Sequence, residues 1–215
     1  MNFDIVQIIQ LAIILLISIG VHEFAHAWTS DKLGDPTPKM MDRLTPNPLA
    51  HIDPIGFVMI FLINFGWGKP VITNPNYYRR PLRDECLVAF AGPISNIILA
   101  LLAIVLMMIL VVTWVAVEAE MVMNFWSLFA AINCGLAVFN MVPLPPLDGW
   151  RLVKLVAPRW AGMVQQMSYQ YGIVVFVLLF FVARFIAPFI FQVSSWLYEY
   201  LHAFVLLIFS LFLVL

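Results

Sequence analysis

Charge is what this sequence has least of. Only 11% of its 215 residues are Asp, Glu, Lys or Arg, against about a quarter in a soluble domain, while 63% are hydrophobic. A water-facing fold of this size would lack the ionic surface it needs, so the chain reads as an integral membrane protein. Basic residues are scattered as well as scarce: 11 Lys and Arg stand against 12 Asp and Glu, and no run of them would neutralise a line of phosphates. Nucleic acid is not expected as a partner; the lipid bilayer is. Cysteine is almost absent. Cys86 and Cys134 each sit inside an apolar run, which leaves neither a disulfide framework nor a cysteine-rich zinc module. The start, Met1-Asn2-Phe3-Asp4, lacks the basic residues of a cleavable leader, and the first apolar run is expected to stay as a mature helix.

Long apolar sequence is present in abundance. Crossing about 30 Å of hydrocarbon takes about 20 residues of helix. Five stretches meet that length approximately: 5–28, 86–113, 125–142, 171–187 and 196–215. A sixth, IGFVMIFLINF at 55–65, is too short to span and is expected to be re-entrant or interfacial. The fold class expected is therefore all-α: a polytopic bundle of about five transmembrane helices plus the re-entrant segment, forming one domain over 1–215. The loop from Asp31 to Glu85 is rich in Pro and Gly and is expected to be an ordered cap on one membrane face. Within it, Gly66 to Thr73 (GWGKPVIT) reads as a short edge strand, with two roles open to its backbone: pairing with an extended substrate, or a purely structural one.

Cytoplasmic loops carry the Lys and Arg excess of membrane proteins. With five spans, every basic residue but Arg184 falls on one face, while Glu118 and Glu120 fall on the other. That pattern puts the N-terminus outside and the C-terminus inside, in what is expected to be a prokaryotic inner membrane. Arg184 would then lie near the outer end of the fourth span, and Trp196, Tyr198 and Tyr200 would form an outer aromatic belt at the start of the fifth.

The chemistry gathers at the end of the first span, in Val21-His22-Glu23-Phe24-Ala25-His26. The i, i+4 spacing puts His22 and His26 on one helix face, where two imidazoles can hold Zn²⁺ while Glu23 leans toward a water beside it. His and Glu are so few that chance placement gives H-E-x-x-H in roughly one such chain in 600. Ionisable groups within a membrane also demand a compensating partner. A zinc site needs a third protein ligand. His202 falls toward the outer face and reads as a lone interfacial residue, whereas His51 either approaches the zinc mouth or organises its loop. Asp148, in the run from Asn140 to Gly149 (NMVPLPPLDG), fits by depth. His22 lies about 25 Å down a helix from Ile5, near the inner face, and the third span delivers Asp148 to the same level. On its own, Asp148 would read as a helix cap or an Asp-Gly turn.

At this point the chain resembles the site-2 protease family of intramembrane zinc metalloproteases, in its compact bacterial and archaeal form. The resemblance runs to about Arg159 and rests on HEFAH, the segment Gly34 to Gly56, the segment Gly66 to Pro81, AGPISN (Ala91 to Asn96) and NMVPLPPLDG. It implies that His22, His26 and Asp148 bind zinc and that Glu23 is the catalytic base. It further implicates Asn140, eight residues before the aspartate, and Asn96 of GPxxN. Their side-chain amides are candidates to stabilise an oxyanion, with interhelical hydrogen bonding the alternative. The larger members' PDZ insertion and CBS pair have no counterpart here. The function implied is hydrolysis of peptide bonds within or near the spans of single-span membrane proteins. A transporter or channel using the His and Glu cluster as an ion site is the competing class, disfavoured by the absence of repeat symmetry. A prenyl-protein protease would take a glutamate as third ligand. A non-catalytic scaffold would not need all four residues.

Overall fold

The computed structural model describes residues 5–63, 68–113 and 120–213. Among these the regular structure is entirely helical: α1 (Ile5–Lys32), α2 (Thr37–Met40), α3 (Pro54–Ile63), α4 (Pro81–Val112), α5 (Glu120–Asn140), α6 (Gly149–Val156), α7 (Pro158–Gln170) and α8 (Gly172–Leu213). Glu118, residues 64–65 of the expected re-entrant segment, Gly66 and Trp67 of the expected strand, and residues 214–215 of the last expected span lie outside the described residues. Among the described residues, four helical segments are long and apolar enough to cross a membrane: α1, α4, α5 and Arg184–Leu211 of α8. The all-α polytopic bundle is as expected. α3, with 10 residues, is about 15 Å long and reaches only halfway across a bilayer.

α4 is the centre of the bundle, packed against α1, α5 and α8. Lipid tails are as apolar as leucine, so helices in a bilayer associate through close packing and hydrogen bonds, which small residues at the contact favour. The buried face of α4 carries Ala89, Gly92, Asn96, Ala100 and Ala103, at helical spacing. α5 buries Ala130, Asn133, Cys134 and Ala137. Ile14, Ile104, Phe129 and Val205 fill the space around the alanines. Ile94, Ile98 and Leu102 stay exposed on α4, where lipid would cover them.

The expected fourth and fifth spans are one helix. α8 continues through Pro188, and Ser194 and Ser195 return their hydroxyls to the carbonyls of Ile190 (2.7 Å) and Phe191 (3.0 Å) rather than opening a turn. Ile186, Phe189, Ile190 and Val193 border a cavity with Phe90, Pro93, Met141 and Pro143. Further along, the Tyr198 hydroxyl meets that of Ser127 at 3.2 Å. α8 therefore runs antiparallel to α5, its C-terminal end toward the end of the bundle at which α5 starts. Two expectations change. Arg184 stands at the same end as the other ten basic residues, not at the opposite one, and the end of α8 lies away from them. Tyr198 and His202 are stacked on each other 6.0 Å apart along the helix, and His202 is not part of the donor cluster on α1 and α6.

The loop after α1 is fastened by a buried carboxylate. Asp35 Oδ2 accepts from the Ser30 hydroxyl (2.8 Å) and the Asn74 N–H (2.7 Å), and Oδ1 accepts from the Thr37 N–H (2.9 Å). Burial alone would raise the Asp35 pKa, but these donors and the Thr37 hydroxyl hold it below the usual carboxylate value. Tyr78 closes onto Ser30 at 2.7 Å, and Arg151 of α6 donates to Thr73 at 3.2 Å. The expected edge strand does not form among the described residues. Only Ile52 and Gly68 pair, as an isolated antiparallel bridge. The physical reason is in the sequence: Pro70 has no N–H to give, and the Val71 N–H is taken by a side chain of α1.

The path of α8 predicts a labelling pattern. In a background without Cys86 and Cys134, single cysteines at Glu120 and Ser210 should react with an impermeant thiol reagent from one side of the membrane, and a cysteine at Lys69 from the other. Reaction of Ser210→Cys from the Lys69 side would restore a reversal within α8.

Candidate metal centre

The centre starts from one face of α1. Ser18, His22 and His26, each four residues from the next, are all buried against α4. His22 Nδ1 donates to Asn96 Oδ1 at 2.6 Å, and His26 Nδ1 donates to the Val88 carbonyl at 2.7 Å. Both acceptors belong to α4. With the Nδ1 positions protonated by these bonds, each neutral ring presents a bare lone pair at Nε2. The two Nε2 atoms lie 3.0 Å apart, and each lies 3.1 Å from Asp148 Oδ2.

Asp148 reaches this point because the chain folds back after α5. It stands at the start of α6, and a Cβ on Gly149 would overlap the backbone of Met141, so only glycine permits the return. Trp150, the next residue, is buried and packs on Trp160 of α7, holding α6 in place. The α4 side needs a glycine as well. A Cβ on Gly92 would come within 2.5 Å of His22 Nε2 and His26 Nε2.

The donor set fits zinc. Two imidazole nitrogens and a carboxylate oxygen are a common catalytic set with one position left open, and ligands about 2.0–2.1 Å from a tetrahedral ion stand roughly 3.3 Å from one another. Three lone pairs at 3.0–3.1 Å repel in a buried site unless a cation lies among them. His22, His26 and Asp148 also form the one cluster of three or more His, Cys, Asp or Glu donors among the described residues. Glu23, one position along α1, is half-buried and turned to the loop side, where its Oε2 accepts the Val71 N–H at 2.9 Å.

Three other expected residues lie around this core. Asn96 touches His22, but its amide N–H groups go to Asn133 Oδ1 (2.8 Å) and the Ser18 carbonyl (3.4 Å). Asn140, at the end of α5, donates to the Leu136 carbonyl of its own helix at 3.0 Å. His51 is fully buried in the turn Pro48–His51, donating through Nε2 to the Thr45 carbonyl at 2.9 Å and accepting the Lys69 N–H on its own carbonyl. These bonds tie it to its own loop.

A family model described as peptidase family M50 matches residues 10–116 and 108–183. The chain belongs to peptidase family M50. A Bacillus subtilis protein named "Putative zinc metalloprotease YwhC" is 38% identical over 173 residues, covering 79% of each chain. A Mycobacterium tuberculosis protein named "Putative zinc metalloprotease Rip2" is 27% identical over 194 residues, covering 86% of this chain and 71% of its own. The stage IV sporulation protein FB of Bacillus subtilis is 28% identical over 154 residues, covering 66% of this chain and 48% of its own. No solved structure matches. The chain is thus an intramembrane zinc metalloprotease of the site-2 type, as the resemblance implied, and the ion-transport alternative is not favoured.

Sequence reasoning missed Val88, Gly92, Asn133, Ser18 and the Val71 contact to Glu23. Two of these had a signal. Ser18 continues the His22 and His26 spacing, and Asn133 precedes Asn140 by two helical turns in an otherwise apolar stretch. A methyl at position 92 tests the packing. Gly92→Ala should lower zinc affinity by about 10–100-fold in a chelator competition while the protein stays folded in detergent. Unchanged affinity would show that α4 does not press on the imidazoles.

Proposed function

We propose that His22, His26 and Asp148 hold the zinc of this protease and that Glu23 is its general base. The observation that carries the assignment is the convergence of two Nε2 lone pairs and one carboxylate oxygen, with both Nδ1 positions already bonded to α4. Zinc, when bound, supplies a Lewis acid that polarises the scissile carbonyl and acidifies the attacking water. Glu23 takes the proton of that water and passes it to the leaving amine. The Val71 N–H pins one carboxylate oxygen of Glu23 and leaves the other for this transfer. Asn140 is the candidate donor to the negative charge that develops on the peptide oxygen. Asn96 has no such freedom, because its amide protons are spent within the bundle.

The protease acts on membrane proteins in a bilayer. Its proposed substrates are single-span proteins, and residues 1–215 are proposed to act as one domain. The proposed setting is a prokaryotic inner membrane. Since all eleven Lys and Arg lie at one end of the bundle, that end faces the cytosol, with the metal centre near it. His22, Glu23 and His26 occupy the second half of α1, within reach of water from that face.

Two substitutions separate holding the metal from using it. Glu23→Gln should retain zinc and lose cleavage of a single-span substrate, whereas Asp148→Ala should lose zinc and cleavage together. Substantial cleavage by Glu23→Gln, or full zinc content in Asp148→Ala, would overturn the corresponding assignment.

A helical peptide bond is shielded by its i to i−4 ladder, so a substrate segment must open before attack. A proline within a helix costs about 3 kcal/mol, which leaves less unwinding to be done. Cleavage should rise when Gly or Pro is placed in the cytosolic half of a model span and fall when Leu replaces it. Equal rates on helix-broken and uniform Leu spans would show that unwinding does not select substrates.

A further inference from the structure

We infer that Asn133 is a positioning residue for the metal centre: acting through Asn96, it fixes which nitrogen of His22 carries the proton. The inference deepens the assignment of His22 as a zinc ligand and rests on it.

The chain of contacts has a direction. Asn133 is fully buried on α5, and its amide nitrogen donates to Ser18 Oγ (2.8 Å) and the Phe129 carbonyl (2.9 Å). Two acceptors on that side force its Oδ1 to the other side, where it accepts from Asn96 Nδ2 at 2.8 Å. Asn96, also fully buried, then has its NH₂ committed to Asn133 and the Ser18 carbonyl, so its Oδ1 must face His22. An oxygen facing Nδ1 at 2.6 Å demands a proton on Nδ1 and leaves Nε2 bare. With the Asn96 amide turned over, an NH₂ would face Nδ1. The ring would then carry its proton on Nε2, the atom 3.1 Å from Asp148 and 3.0 Å from the other imidazole, where it blocks a metal. A single amide in isolation has no preference between the two orientations. Ser18, Asn133 and Asn96, on three helices, supply that preference.

The mechanism does not use Asn133, whose hydrogen bonds go to Asn96, Ser18 and Phe129 and to none of the proposed ligands. Its effect is therefore separable from chemistry. Replacing Asn96 by Asp provides the test, since a carboxylate offers an oxygen to Nδ1 whichever way it turns and needs no instruction from position 133.

The experiment measures zinc affinity of the full chain in detergent by competition with a chromophoric chelator, for Asn133→Ala in the wild-type background and in the Asn96→Asp background. Asn133→Ala should weaken zinc binding by about 10–100-fold in the first and leave it unchanged in the second. No loss in the wild-type background overturns the inference, as does equal loss in both, which would mark Asn133 as a packing residue only. If Asn133→Ala does not fold, Asn133→Leu, of similar shape and without polar atoms, takes its place in both backgrounds with the same expected and overturning results. The metal assignment is checked separately: Asp148→Ala must lose zinc that the wild-type chain binds. If it does not, the centre itself is misassigned and the relay falls with it.

Discussion

Three lone pairs aimed at a common point inside a membrane protein are the constraint on which this structure depends. Two imidazole nitrogens and a carboxylate oxygen at 3.0–3.1 Å are mutually repulsive in a low-dielectric interior, and nothing in apolar packing would bring them together. Their approach is stabilised from behind, through the Nδ1 bonds to α4, and becomes favourable when a cation occupies the space between them. The bundle can be read as the apparatus for that approach. α4 contributes a glycine where the rings meet, two acceptors that set their tautomers, and a row of alanines that lets α5 come close enough to return Asp148.

The carboxylate proposed as the base is held by a different part of the molecule. Glu23 leaves the metal face of α1 and turns to the loop, where Val71 holds it by one backbone N–H. That stretch of loop is itself tied to Asp35 through Asn74 and to α6 through the bond between Thr73 and Arg151. Metal and base therefore have separate supports, one between the spans and one on the membrane surface, which meet on a single helix.

Much of this was legible in the sequence, for identifiable reasons. Helical spacing makes His22 and His26 neighbours on any helix, and depth counted in residues places Asp148 beside them. The hydrophobic runs located α1, α4 and α5. Hydropathy does not distinguish one long helix interrupted by a proline from two short ones, and so α8 was divided at Pro188, carrying Arg184 to the wrong end. The strand at 66–73 was read from its residue types, while Pro70 and the capture of the Val71 N–H by Glu23 left it no ladder to join. Asn96 and Asn140 were visible as polar residues. Whether an amide turns its oxygen or its nitrogen to a neighbour is set by partners on other helices, and that information exists only in three dimensions.

The ligands are also far apart along the chain: Asp148 is 126 residues from His22 and 122 from His26. Synthesis runs from α1 onward, so the helix bearing both imidazoles and the base enters the membrane long before its third ligand exists. Two imidazoles alone hold zinc weakly. Until α5 has inserted and the proline-rich turn has carried Asp148 back to the first helix, the nascent chain has no complete site. Order along the chain therefore sets an order of assembly: the three donors come together only once the segment after α5 has returned Asp148 to α1.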